Sequence, residues 1–238
     1  MIDVSLDDFI GQPKILERIK IAVTAAKMRG DVLGHVLLSG VEGSGKRALA
    51  TAIVKEMGSE ATVISINKYK KILDFVSLLT NISDGNFLII EDIDQIKQDF
   101  VDLLCDAMEN GEVEVTIGKG SADRTFTLPL PRFTLIGIAE EKFNLSKKLL
   151  QCFYIDEKLG KYSEDELFQL AKRMCSSIET EITDEAAKKI AIYAEGSNKL
   201  LTNAIKRARD YATVFNNDII DLNIVDKIIL NLSDKDVI

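Results

Sequence analysis

Apolar residues along this chain change their spacing several times, and each change marks an element. Between 13 and 29 they fall at Ile15, Ile19, Ile21, Val23, Ala26 and Met28, a helical spacing opened by Pro13 and ended by Gly30. The run Val36-Leu-Leu after His35 is short enough to predict a buried strand. Helical spacing returns over 46–57 and stops at Gly58. Runs 61–66 and 87–90 predict two more buried strands, separated by a helix over 69–79, and 100–108 predicts a further helix. Over 111–130 the period drops to two. Val113, Val115 and Ile117 alternate with polar residues, Gly118-Lys-Gly120 turns the chain, and Thr125-Phe-Thr-Leu128 returns as the second strand of a hairpin. Pro129 and Pro131 close it, and 133–138 resumes a buried strand.

Beyond about 157 the pattern predicts helices and no strands. Ser163 and Glu166 have the spacing of a capping box, Thr183 caps a second helix whose end fits Gly196, a third covers 199–215, and 222–232 repeats apolar residues at helical intervals. Alternating helices and strands followed by helices alone predict an α/β fold: a core over 1–157 with a mostly parallel sheet, and a small all-helical domain over 158–238.

Composition narrows the classes. The 238 residues suffice for one or two domains, and 46% apolar content with only 3 Pro excludes a fibrous or disordered chain. No apolar run approaches the roughly 20 residues of a membrane span, and Met1-Ile2-Asp3 does not open a signal peptide, so a cytoplasmic protein with no membrane partner is expected. The formal charge of −8 disfavours broad attraction to DNA. Cys105, Cys152 and Cys175 have neither disulfide nor metal spacing and are read as reduced thiols in or near the core. The single His35, beside an apolar run, is read as structural.

Chemistry concentrates in two places. Gly40-Val-Glu-Gly-Ser-Gly45-Lys46-Arg47 lies between a predicted strand and a predicted helix and satisfies the Gly-x4-Gly-Lys phosphate loop. Gly40, Gly43 and Gly45 let backbone N–H groups, with Ser44, turn around phosphate oxygens, the helix N-terminus adds positive potential, and Lys46 reaches the terminal phosphates. After the lysine the motif calls for a Ser or Thr hydroxyl on Mg²⁺. Arg47 stands there instead, and a guanidinium has no oxygen to offer a metal. Two readings of Arg47 stay open: it points to solvent, or it supplies positive charge near the phosphates in place of the ion. Further on, Phe87-Leu-Ile-Ile90 ends in Glu91 and Asp92, candidates for a metal-organising acid (Glu91) and a water-polarising base, though the usual order is Asp then Glu.

Leu6-Asp-Asp-Phe-Ile-Gly-Gln12, Ala25-Ala-Lys-Met-Arg-Gly30, His35-Val-Leu-Leu-Ser-Gly40, Asp106-Ala-Met-Glu109, Phe133-Thr-Leu-Ile-Gly137 and Arg207-Ala-Arg-Asp-Tyr-Ala212, in this order, resemble the RuvB family, AAA+ ATPases of Holliday-junction branch migration. The resemblance covers nearly the whole chain. It implies a P-loop AAA+ three-layer αβα core with a helical lid, ATP or ADP bound between subunits of a ring, and a RuvA-like partner at hairpin 111–130. Adenine would lie against Phe9, Ile10 and Gly11 and the lid. The family's winged-helix domain would lie beyond the end of this sequence, so DNA contact is expected to be indirect or weak. The Arg-Pro segment that precedes the opening motif in the family has no counterpart here.

Other family positions also differ. Ile138-Ala139-Glu140 carries no hydroxyl where the family has a sensing Thr, Leu149-Leu-Gln-Cys-Phe153 carries no finger arginine, and Lys199 replaces the lid's sensor arginine. The resemblance therefore implies a nucleotide-binding protein of weak or lost hydrolysis, linked to DNA recombination and repair as a partner subunit. Two other readings stand beside it. One is an active helicase-type ATPase in which Glu91 and Asp92 exchange roles; the other is a nucleotide-free structural scaffold. The lid's Lys199, Lys206, Arg207 and Arg209 are read mainly as a solvated face, with phosphate contact as the alternative. The hairpin is read equally as a partner surface or as a ribbon packed on its own sheet.

Overall fold

The computed structural model describes residues 4–117, 124–216 and 218–233; the predicted turn at Gly118-Lys-Gly120 lies outside them. Helix α1 (Pro13–Arg29) starts on the proline that needs no N–H partner, and it ends where the left-handed Gly30 donates its N–H to Ala26 and Lys27 carbonyls. Strand β1 (Val36–Gly40), α2 (Lys46–Met57), β2 (Ala61–Ser65), α3 (Ile72–Thr80), β3 (Phe87–Glu91) and α4 (Gln98–Asn110) follow. Then come hairpin strands β4 (Glu112–Ile117) and β5 (Arg124–Pro129), β6 (Thr134–Ala139), α5 (Lys147–Gln151) and β7 (Ile155–Leu159).

The main sheet runs β2-β3-β6-β1-β7, every pairing parallel. Alternation along β1 decides its two faces. Leu37 joins one apolar cluster with Phe75 of α3 and Leu104 of α4, while Val36 and Leu38 join another with Ile19 of α1 and Leu49 of α2. This gives the expected αβα layers. The hairpin forms its own two-stranded sheet: Val113 and Val115 are buried in the α3–α4 cluster, and Phe126 and Leu128 on the returning strand are exposed.

Helices α6 (Glu164–Ser177), α7 (Asp184–Tyr193), α8 (Asn198–Phe215) and α9 (Leu222–Ser233) enclose a third cluster and form the lid. Ser163 and Glu166 form the reciprocal capping box and Thr183 accepts from Ala186 N–H, as the spacing predicts. The expectation of no strands after 157 is corrected. Strand β7 continues to Leu159, and β8 (Glu181–Ile182) pairs in parallel with β9 (Ile219–Ile220) inside the lid. Strand β7 escapes hydropathy because its inward face carries Glu157, held by Arg18 through Nε and Nη2, both at 2.5 Å. A two-residue ladder is too short to show any period. Helix α3 starts at Ile72, later than expected, because Tyr69 and Lys71 take extended backbone after a 3₁₀ turn over 66–68. Capped by Ser146, α5 was not signalled.

His35 is structural, as expected. Its Nδ1 accepts from Leu135 N–H at 2.9 Å and its Nε2 donates to Met108 carbonyl at 3.1 Å, tying β6 to α4, and burial lowers its pKa. Cys105 and Cys175 are buried and Cys152 half-buried, all as free thiols. Burial raises all three thiol pKa values, that of Cys175 to about 11. Among the described residues no helix is long and apolar enough to cross a membrane.

Candidate functional site

The glycine loop joins the C-terminal end of β1 to the start of α2, at the carboxyl ends of the parallel strands where ligands of such folds collect. Gly45, with φ of 94°, is the N-cap of α2, and Gly43 has φ of 80°, backbone states that glycine takes without strain. Both also permit close approach: a Cβ at Gly43 would overlap Ser197 Oγ, and one at Gly45 would overlap the Tyr162 hydroxyl. Lys46 is only 9% exposed, and its Nζ donates to the Gly40 carbonyl at 2.5 Å and the Val41 carbonyl at 3.0 Å. An ammonium has three donors, so one remains for a ligand. Burial holds the Lys46 pKa below the usual lysine range, opposed by the carboxylates of Glu140, Asp94, Glu42 and Asp92. Ser44 Oγ is buried without a hydrogen-bond partner.

Beside the loop, Arg47 resolves its two readings in part. It does not simply point to solvent; its Nε lies 2.5 Å from Glu91 Oε1. Asp92 follows with φ of 55°, a left-handed residue that turns the chain off the strand and leaves its side chain exposed. Ile138, Ala139 and Glu140, at the end of β6, lie on the same cleft as these carboxylates.

The lid closes the other side. Asn198 donates its N–H to the Gly43 carbonyl at 3.0 Å, and Lys199 pairs with Glu42 of the loop. Tyr162 packs over Gly11 and Gly45, and burial raises its pKa to about 12. Arg173 donates to the Asp8 carbonyl, stitching α6 to the N-terminal segment. Between lid and core lies a cleft of about 970 Å³. Phe9, Ile10, Gly43, Gly45, Lys46, Arg47, Glu91, Asp92 and Lys199 all line it. Gly11 sits beneath Tyr162, and Gly40 and Ser44 belong to the buried base of the loop. The lid's basic cluster divides: Lys206 and Arg209 line the cleft, whereas Arg207 is exposed outside it.

Sequence reading missed Tyr162, Arg173, Ser197 and Asn198. No local motif marks them, and their relevance depends on how the lid folds back on the loop. On the lid side the cleft is lined by apolar Leu170, Met174 and Ile205 together with polar Arg173, Lys206 and Arg209, and Ile10 packs against the lid's apolar cluster. The glycine cradle, the spare Lys46 donor and the orphaned Ser44 hydroxyl fit the phosphates of a nucleotide. Mg²⁺ does not fit. Glu91, read from the sequence as a metal ligand, has its Oε1 beside a guanidinium, in the position where a hydroxyl would complete the site. Among the described residues no group of three or more His, Cys, Asp or Glu could hold a metal.

Comparison with known proteins agrees with this geometry. The family model for the Holliday junction DNA helicase RuvB P-loop domain matches residues 2–159, and that for the RuvB AAA lid domain matches 162–234. The Holliday junction branch migration complex subunit RuvB of Trichormus variabilis is 36% identical over 207 residues, 87% of this chain and 57% of the relative. That of Fervidobacterium nodosum is 36% identical over 223 residues, 94% of this chain and 64% of the relative. The chain thus spans about three fifths of these relatives' length. The solved Thermotoga maritima RuvB branch migration motor superimposes with a TM-score of 0.83 at 34% identity, covering 94% of this chain and 70% of that one. A point mutant of the same protein gives 0.85 at 34% identity, covering 94% and 71%.

Proposed function

The chain belongs to the RuvB family of P-loop AAA+ proteins, and from that premise we propose that it binds ATP or ADP between core and lid, with hydrolysis weak or lost. Its place would be in DNA recombination and repair, as a partner subunit. The observation that carries the nucleotide reading is the glycine loop, with Lys46 held by two loop carbonyls, on a cleft that Phe9, Ile10 and lid residues also line. Gly40, Gly43, Ser44, Gly45 and Lys46 would hold the phosphates, Phe9, Ile10 and Gly11 would flank the base, and Lys199 would approach from the lid.

Weak hydrolysis rests on chemistry that is absent from its expected positions. Asp92 is the remaining candidate for polarising a water, Ile138-Ala139-Glu140 supplies no hydroxyl, and α5 with its flank, 149–153, supplies no arginine to a neighbour. Loss of an arginine finger alone can lower turnover by a factor of about 10³ to 10⁵. The ribbon carrying exposed Phe126 and Leu128 would take a RuvA-like partner, and self-association or an AAA+ ring partner would complete the assembly. DNA contact would then be indirect.

Calorimetric titration with ATP and ADP tests the binding, and Lys46→Ala should weaken it by about tenfold or more. Turnover measured with and without junction DNA should stay near background. No binding of either nucleotide overturns the proposal. Junction-stimulated turnover abolished by Asp92→Asn would instead establish an active motor.

A further inference from the structure

Arg47 and Glu91 depart from the phosphate-loop pattern at two positions far apart in sequence, and the fold puts those two departures in contact. Arg47 lies in the first turn of α2, Glu91 is the last residue of β3, and Arg47 Nε is 2.5 Å from Glu91 Oε1. These are the hydroxyl and carboxylate positions from which a P-loop protein organises Mg²⁺. A guanidinium there offers no lone pair to a metal and repels a divalent cation by its own charge. It also brings what the ion would bring, positive charge beside the phosphates.

The geometry leaves that charge usable. The Glu91 side chain is 19% exposed while that of Arg47 is 60% exposed, and both line the cleft beside Lys46. Nε stands 2.5 Å from Glu91 Oε1 as a charge contact with no hydrogen bond between them, and the two Nη groups carry four N–H donors in a plane suited to phosphate oxygens. Glutamate is one carbon longer than the usual aspartate, which extends its reach to the arginine on the neighbouring element.

We propose that Arg47, held by Glu91, is a resident cation that replaces Mg²⁺ in this site, so that the chain takes a nucleoside polyphosphate without a divalent ion. This rests on the nucleotide reading above and adds how the charge of the phosphates is met.

The probe is ADP, titrated in excess Mg²⁺ and in EDTA against the full chain, Arg47→Thr and Glu91→Gln, each variant first checked by a thermal melt. Wild-type affinity should agree within about twofold between the two conditions. Arg47→Thr should lose about tenfold in EDTA, equivalent to 1.4 kcal/mol, and recover it with Mg²⁺. Glu91→Gln, which keeps the side-chain shape and frees the guanidinium, should bind in EDTA at least as tightly as wild type. Wild-type binding that strengthens about tenfold with Mg²⁺ overturns this inference while leaving the nucleotide reading intact. So does an Arg47→Thr variant that binds like wild type in EDTA. If wild type binds ADP in neither condition, the nucleotide reading fails first, and this inference falls with it.

Discussion

His35 shows how a single side chain can be fixed by what it must accept as well as donate. Its Nδ1 accepts from Leu135 N–H, so the buried ring is held as the neutral tautomer with the proton on Nε2. Burial lowers its pKa, so the unfolded chain binds more protons as pH falls through the unperturbed value near 6.5. The His35 contribution to stability is therefore full above about pH 6.5 and is lost below it. Thermal melts from pH 7.5 down to 5.5 should show a falling midpoint, and His35→Gln, which cannot titrate, should flatten that slope. Glu157 makes a second case. It is buried on an edge strand and its charge is met by the partly exposed Arg18, so Arg18→Ala should lower the melting midpoint by stranding a buried carboxylate, whereas Glu157→Gln should cost less. Neither pairing is legible in sequence. The glycine loop is legible because its chemistry sits in consecutive residues, but Arg47 meets Glu91 only because β3 and β1 flank β6 in the sheet.

Elements with strong local punctuation were legible nearly to the residue. Helix α2 runs from Lys46 to Met57 and α1 from Pro13 to Arg29, each ended by a left-handed glycine that the sequence advertises. The capping box of α6 is equally local: Ser163 accepts from Glu166 N–H, and Glu166 returns the bond to Ser163 N–H. Ser163→Ala should lower lid stability by about 1 kcal/mol, read from the urea midpoint. Strand β7 was hidden by its buried glutamate, and α5 by its length of 5 residues, shorter than the span over which helical period can be recognised. The hairpin was legible from its alternation. Its environment was not, because the cluster that buries Val113 and Val115 draws on α3 as well as the adjacent α4.

At the scale of the molecule, two apolar clusters of the described residues share the main sheet and a third fills the lid, and consecutive residues make one joint between core and lid. Phe9 belongs to the core cluster under α1 and α2, while Ile10 packs against the lid cluster. Arg173 holds the same segment to α6 through the Asp8 carbonyl. A ligand seated in the cleft would touch both bodies, so ADP at about 100 times its dissociation constant should stabilise the fold by about 2.7 kcal/mol. Differential scanning fluorimetry would show this as a raised midpoint, and Lys46→Ala, binding about tenfold more weakly, should keep only about 1.4 kcal/mol of it or less. The two-body arrangement follows from sequence pattern; the seam between the bodies does not, because it is made of single contacts among residues with no common motif.

One of those contacts has a mechanical sense. The N-terminal end of α8 rests on Gly43 through Asn198 N–H, with no side chain between, and α8 is 18 residues long, a rod of about 27 Å. A shift of the loop backbone by a fraction of an ångström presses on one end of that rod and is magnified at the other. A ligand that moves the crook would therefore be expected to tilt the upper body, as a key throws a distant bolt.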